Sequence, residues 1–554
     1  MSNKKQHDEE HSKIYKVWLW IKQWWLPIAI LLITSIGLAC ALSIPQRVFE
    51  TPREPANDKS APVLLAQSNL RLAFLYITGG AIAVMGLIET FRKNNNEKLK
   101  NDQEKEKNDK EHERWVKAER RERYTRAVGQ LGDEKAPIRM GGVYALIRLV
   151  DDWLEEKSLS DDERLKEGQV IINNLCAYIR SPFTLASRYD ELSKDSPTPE
   201  GIYKDNQQEF YTDKAEFKAE ADIRLGIIKE IHDRIQGPDK NTPGAWSDFE
   251  YDFSGSTFFY PIDLTNSYYA KPINFSDSTY QGGAYFSGSI YKDVADFGGS
   301  TYQGGADFSG STYKDVADFS RSTYQGRADF SRSTYQWASF SDSTYQGWAY
   351  FSDSTYKSWA YFTGSTYQWA NFTGSTYQGW ADFTGSTYQW AYFSDSTYKS
   401  WAYFSDSTYE NETNFSGSIF YQETYFGEDG YSNSSSCFTN HAPQFYDKKK
   451  RKNTLFGSPN NDFTVDIDKG YPIDLDSKGI PLNCKFLTSE QKEYLEYKFQ
   501  EIDETKNKLR EVKDSKEKEE LLKKLRSLNE ELRKWREEAT TVKVEDVVAE
   551  DTGS

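Results

Sequence analysis

The sequence predicts a mixed, multidomain architecture: an N-terminal two-helix transmembrane hairpin, a small all-α domain, a long coil of stacked β-strands, and a C-terminal helical hairpin or coiled coil. Three observations predict it. Two apolar runs, Leu26 to Ile44 and Leu72 to Ile88, approach the ~20 residues that cross a bilayer. Phenylalanine or leucine then recurs at 253, 264, 275, 286, 297, 308, 319, 330, 340, 351, 362, 372, 383, 393, 404 and 415, in steps of ten or eleven. Late in the chain Leu521, Leu525, Leu528, Leu532 and Trp535 hold a 4-3-4-3 spacing.

The 554 residues carry 69 Lys and Arg against 85 Asp and Glu, a net charge of −16 that argues for several domains and against general affinity for nucleic acid. Four scattered cysteines, Cys40, Cys176, Cys437 and Cys484, lack metal-site or disulfide spacing and suit a reducing compartment.

Residues 1–92 read as the membrane hairpin, with spans at about 26–44 and 72–88. Trp18, Trp20, Trp24 and Trp25 form an interfacial belt before the first span. Twelve Lys and Arg flank the outer ends of the spans. The connecting loop has Arg47, Arg53 and Lys59, with Arg71 at its edge. That bias predicts a multi-pass inner (cell) membrane protein with both termini cytoplasmic. Residues 93–123 are charged throughout, a helical stalk or solvated linker. In residues 124–236, Val143, Leu146, Ile147, Val150 and Leu154 recur at three and four, the mark of an amphipathic helix in a small α-domain.

From residue 250 to 426 a second ring follows five residues after each Phe or Leu: Phe258, Tyr269, Tyr280 and onward to Tyr409 and Phe420. A beat of five fits neither a helix nor an alternating hairpin. It fits a flat-sided coil in which the small Ala and the ring two positions later point inward, as in Ala381 and Phe383. Ser, Thr, Asp, Asn and Gly are expected outward or at corners, and Gly379 or Ser400 is the extra residue of an eleven-residue step. The units Ala306-Asp307-Phe308-Ser309-Gly310 and Ala370-Asn371-Phe372-Thr373-Gly374 resemble those of pentapeptide-repeat proteins. The resemblance implies a right-handed, four-sided parallel β-helix. About eight coils at ~4.8 Å would make a rod about 38 Å long. Tyr in the alternate Ser-Thr-Tyr-Gln block departs from the pattern, and a buried phenol needs a hydrogen-bond partner. Within the α-domain, Gln130 to Gly132, Arg139 to Leu146 and Ala177 to Arg180 look like the helical module that precedes the repeats in membrane-bound bacterial pentapeptide-repeat proteins. Arg139 and Arg180 are read as buried pairing residues or an anion site.

Trp337, Trp348, Trp359, Trp369, Trp380, Trp390 and Trp401 each precede an inward Ala. Counting two such positions per coil places Trp337, Trp359, Trp380 and Trp401 on one side and Trp348, Trp369 and Trp390 on the other. Exposed aromatic patches mark binding surfaces; these seven are the candidate site, with simple mutual stacking of duplicated units as the alternative. Residues 427–486 read as a polar linker whose Lys448 to Lys452 run is solvated or touches anionic lipid, and residues 487–540 as helices suited to homo-oligomerisation.

No Gly-rich phosphate loop, Gly-x-Ser-x-Gly, His-Glu-x-x-His or Cys-x-x-Cys occurs. The expectation is therefore a non-enzymatic, cofactor-free and metal-free scaffold with an unidentified protein partner. Two alternatives stand beside it. One is a DNA mimic, implied by soluble pentapeptide-repeat proteins that bind topoisomerases. Residues 251–426 hold seventeen acids against eight bases, a net of −9, where a DNA-like rod of that length needs about 22 charges. The other is a carbohydrate- or envelope-binding protein, should the rod lie outside the cell.

Overall fold

The computed structural model describes residues 2–49, 61–428, 434–512 and 515–542. Arg53 and Lys59 of the span-connecting loop lie outside them, as do the side chains of Trp18 and Trp20. The chain divides into two units, Met1–Glu119 and Arg120–Ser554.

Helices α1 (Ser2–Val48) and α2 (Ala61–Leu131) carry two segments long and apolar enough to cross a membrane. Leu31, Leu32 and Ile36 of α1 and Leu65, Ile77 and Leu87 of α2 are exposed, as lipid-facing side chains would be. Gly37 and Ala41 are buried, and a Cβ at Gly37 would collide with Thr78, so the small residue sets how closely the two helices pack. Beyond its apolar run α2 continues as one helix through the charged stretch. Pairs four residues apart, such as Lys110 with Glu106 (2.6 Å) and Lys117 with Glu113 (2.7 Å), support it, so residues 93–123 are helical rather than a flexible linker.

The second unit begins with the end of α2 and α3 (Ala136–Leu154), α4 (Asp161–Arg180), α5 (Tyr189–Leu192) and α6 (Gln207–Ile235). Ser160 and Glu163 form a capping box that starts α4. Val143, Leu146, Ile147 and Val150 are fully buried. Gly142 is required because a Cβ there would sit 2.8 Å from the Ala127 carbonyl oxygen. Arg139 pairs with Glu220 (3.2 Å) and Arg180 with Asp252, so both are pairing residues. Arg224, which no spacing singles out, is buried, bonds Glu220 (2.7 Å) and the Ile179 carbonyl (2.7 Å), and closes the network. The helical core runs directly into the first coil. Phe183 and Phe217 pack on Phe259 at 5.2 and 4.8 Å, so the α-domain covers the open end of the β-stack.

From Tyr251 onward the chain winds into a parallel β-helix of about eight turns. Each circuit places four short strands on four faces. Ala306 pairs with Ala284 and Ala328, and Thr312 with Ile290 and Thr334. Phe308, Phe319, Phe330 and Phe351 share one core with the Tyr ladders. Phenylalanines one turn apart stack nearly parallel (Phe308 on Phe330, 5.1 Å) and meet the opposite column edge-on (Phe308 to Phe319, 5.0 Å).

One inward assignment needs correction. Serines of the Ser-Thr-Tyr blocks point inward, not outward: Ser343, Ser365 and Ser386 are almost fully buried. Each is wired into the stack. Ser343 N–H donates to Ser365 Oγ (3.0 Å), and Ser365 Oγ donates to the Phe340 carbonyl (2.9 Å). Ser365 N–H in turn donates to Ser386 Oγ (3.1 Å). The hydroxyl thus satisfies backbone groups that an inward alanine leaves to the strands, and this offsets its desolvation. The phenols differ. Tyr335 donates to the Phe330 carbonyl (3.3 Å), but most ladder hydroxyls, those of Tyr302 and Tyr367 among them, find no partner among the described residues. Ring stacking, such as Tyr280 on Tyr302 at 4.5 Å, holds them instead. Burial raises these phenols well above their usual range and keeps them neutral.

The recurrent aspartates cap turns: Asp307 Oδ1 accepts from Ser309 N–H (2.9 Å). The residue that closes a Phe block is left-handed (φ +65° at Gly310, +56° at Asp353), which suits the Gly, Asn and Asp at most of these positions, although Arg321 (φ +56°) and Arg332 (φ +57°) hold the same conformation. Extra residues of eleven-residue steps are absorbed as register shifts, as between Tyr345 and Trp348, where such a coil pairs with a shorter one.

Residues 434–486, expected as part of a linker, are not one. Cys437–Phe438 pairs with Thr408–Tyr409, Leu455–Phe456 with Ile419–Phe420, and Lys485–Phe486 with Leu455–Phe456. Phe445 stacks on Phe415 at 5.0 Å and Phe463 meets Phe456 edge-on at 5.2 Å, continuing the aromatic core into the last coils.

A capping box at Thr488 and Gln491 starts α7 (Ser489–Glu511), which pairs with α8 (Ser515–Thr540). Leu495, Phe499, Ile502, Leu528 and Leu532 bury against each other and against Ile419 and Leu455 of the rod. Polar contacts fix the docking: Lys399 with Asp503 (2.8 Å), Tyr421 with Glu496 (2.6 Å), and Lys506 with Gln378. Burial pushes the Lys506 ammonium down to about 8, against the pull of Asp503. Most of the stripes read as an oligomer contact (Leu495, Phe499, Ile502, Leu525, Leu528, Leu532 and Trp535) is thus occupied within the chain.

Candidate functional site: two outer tryptophan ladders

Each tryptophan sits one residue before an inward alanine, and alternation along a strand turns its side chain outward. The alanines pair turn on turn (Ala360 with Ala381, Ala381 with Ala402), which brings the indoles into register. On one edge Trp348, Trp369 and Trp390 stack at 4.7 and 4.2 Å, nearly parallel. On the other edge Trp359 stacks on Trp380 (5.3 Å), and Trp380 meets Trp401 tilted at 5.1 Å. Strand order puts these edges on opposite sides of the coil. Trp337 stands apart from the second ladder. It is on the same side, since Ala338 pairs with Ala360 and the preceding coil offers Val316, but its ring packs edge-on against Tyr361 (5.6 Å) rather than on Trp359.

Trp348, Trp359 and Trp401 are 50%, 44% and 36% exposed, and the other four are half-buried; none enters the core. Indoles of the ten- and eleven-residue steps therefore face outward alike. Stacking has a chemical consequence. Trp369 is covered on both faces by its neighbours, so the middle of the ladder presents ring edges and N–H groups. A sugar ring seeking an indole face would find one only at the ladder ends. The exposed edges suit a protein surface better, since indoles anchor interfaces while offering a donor. Trp401 already uses its donor on Glu423 (2.6 Å).

Among the described residues no group of three or more His, Cys, Asp or Glu could hold a metal ion. Asp296 and Asp318, adjacent on one face, illustrate the repeat's carboxylates: burial first, then the neighbouring carboxylate, raises Asp296 above its usual range. Asp318 Oδ1 accepts the Ser320 N–H (2.9 Å), the same turn-capping role as Asp307.

The geometry defines a class first: a capped parallel β-helix with an aromatic interior and a second, separate aromatic pattern on its exterior. A family model described as pentapeptide repeats (9 copies) matches residues 314–355, and with the coil it supports a pentapeptide-repeat protein. No curated protein and no solved structure matches the chain.

Proposed function

We propose that the protein is a non-enzymatic interaction scaffold, tethered in the inner membrane by α1 and α2 with both termini cytoplasmic, whose rod offers its tryptophan ladders to a protein partner. The ladders carry the reading: seven indoles kept out of a core that takes every phenylalanine of the repeat serve no packing need there. Two apolar helices with exposed Leu and Ile support the tether, and the twelve-to-four bias of Lys and Arg supports the orientation.

Cysteine labelling tests the tether. The native Cys176, Cys437 and Cys484 are buried and Cys40 is half-buried, so introduced thiols dominate the signal. A membrane-impermeant maleimide added to intact cells should label Asn57→Cys, at a position outside the described residues, and spare Ser434→Cys. The reverse pattern would put the rod outside the cell and turn the ladders toward envelope carbohydrate.

A further inference from the structure

Beside the Trp348 ladder lies a groove of about 630 Å³. Trp348, Trp369 and Tyr392 form its aromatic wall, and Lys448, Lys449 and Lys450 form its rim. These lysines sit in the turn between Tyr446–Asp447 and Lys452–Asn453, a small antiparallel ribbon thrown out from the last coils. Lys452 is neutralised by Asp395 (2.6 Å), but Lys448, Lys449 and Lys450 are exposed and form no ion pair among the described residues. Asp395, Glu412 and Asp447 also line the groove; Asp395 is held by Lys452, and Asp447 Oδ1 accepts the Lys449 and Lys450 N–H groups, so the three rim ammonium groups beside the apolar rings make a site for a peptide that is both acidic and aliphatic.

The chain itself carries such a peptide at the rim. Past α8, Thr541 bridges Lys452 in antiparallel fashion, and Val542 N–H donates to the Arg451 carbonyl (2.8 Å). The direction of that pairing leads the following residues toward Lys450. Residues 543–554, which lie outside the described residues, read Lys-Val-Glu-Asp-Val-Val-Ala-Glu-Asp-Thr-Gly-Ser: four acids, one lysine and three valines. We infer that residues 543–554 of this chain occupy the groove, with Glu545, Asp546, Glu550 and Asp551 against the lysine turn and the valines against the indole and phenol wall. Length permits it. Nine extended residues span about 30 Å, whereas the three coil steps from Trp348 to the level of Glu412 span about 14 Å. A tail seated there covers the edge of one ladder and leaves the Trp359 ladder open, so it regulates one side of the rod only.

The test uses the detergent-solubilised full chain and a chain ending at Val542. A zero-length carbodiimide should join Lys448, Lys449 or Lys450 to acids of 543–554 within single chains, as judged after mixing isotopically light and heavy protein. A synthetic 543–554 peptide should bind the shortened chain at least tenfold more tightly than the full chain, and added salt should weaken it. The change Lys448→Glu, Lys449→Glu, Lys450→Glu, on exposed turn residues, should abolish peptide binding while the melting curve stays in place. Cross-links only between chains would assign the groove to a second copy's tail. Equal peptide binding by both chains, binding by neither, or indifference to the triple change would overturn the proposal.

Discussion

Phe351→Asp should open the rod. The ring is fully buried, stacked between Phe330 (5.1 Å) and Phe372 (4.8 Å) and met edge-on by Phe340 (5.0 Å) and Phe362 (5.2 Å). A carboxylate there loses these contacts and those with Tyr345 and Tyr367, has no cation inside the coil among the described residues, and costs several kcal/mol even if it takes up a proton. The coils on either side share that core, so loss spreads along the stack rather than staying in one strand. Hydrogen exchange on the full chain reads it directly. Amides such as Phe351 N–H (bonded to Asn371 O, 2.7 Å) and Phe372 N–H (to Tyr392 O, 2.7 Å) should lose their protection. A variant that keeps it would place Phe351 outside the core.

Leu495→Glu with Phe499→Glu should release α7 and α8 from the rod. Leu495 is fully buried, and Phe499 packs on Tyr421 (5.8 Å) under the Lys399 ammonium (4.8 Å). Truncating residues of this size typically costs about 2–5 kcal/mol each before any charge is added, more than the few surface bonds that remain can hold. Trypsin should then cut at Lys506 and Lys508 at least tenfold faster, while rod amides around Thr376–Tyr377 stay protected. The oligomeric state should not change, because the apolar stripes face the rod of their own chain. A shift from dimer to monomer would instead make those stripes a contact between copies.

Much of this was legible because the coils are near copies of one another. A ring every five residues and an alanine two before it decide the inward face, and counting ten- and eleven-residue steps sorts the tryptophans into two opposite sides. What escaped had physical reasons. Ser365 and its equivalents look like surface residues by hydropathy, and only the stacked geometry reveals that Ser343 N–H and Phe340 O need that hydroxyl. The last coils lost the period because the chain makes long excursions, from Thr408 to Cys437 and from Ile419 to Leu455, before pairing again. Trp337 is in register with Trp359, since Ala338 pairs with Ala360, but its ring turns edge-on to Tyr361 instead of stacking on the indole, a rotation that spacing does not reveal. The lysine rim of the groove was invisible for a similar reason: a returning ribbon, not spacing, carries Lys448 to Trp348 and Trp369.

The scaffold reading stands or falls on whether the outer indoles bind something while adding little to the fold. The direct measurement compares the tagged, detergent-solubilised chain with its Trp359→Ser, Trp380→Ser, Trp401→Ser variant by quantitative mass spectrometry of co-purified proteins, with melting recorded on both. Surface changes usually stay within ~0.5 kcal/mol each, whereas losing an interface anchor often costs about 2 kcal/mol or more in affinity. The account predicts a melting midpoint within a few degrees of the parent chain and the loss of a protein that the parent enriches. An unchanged set of co-purified proteins would contradict it and leave the ladders as products of repeat duplication.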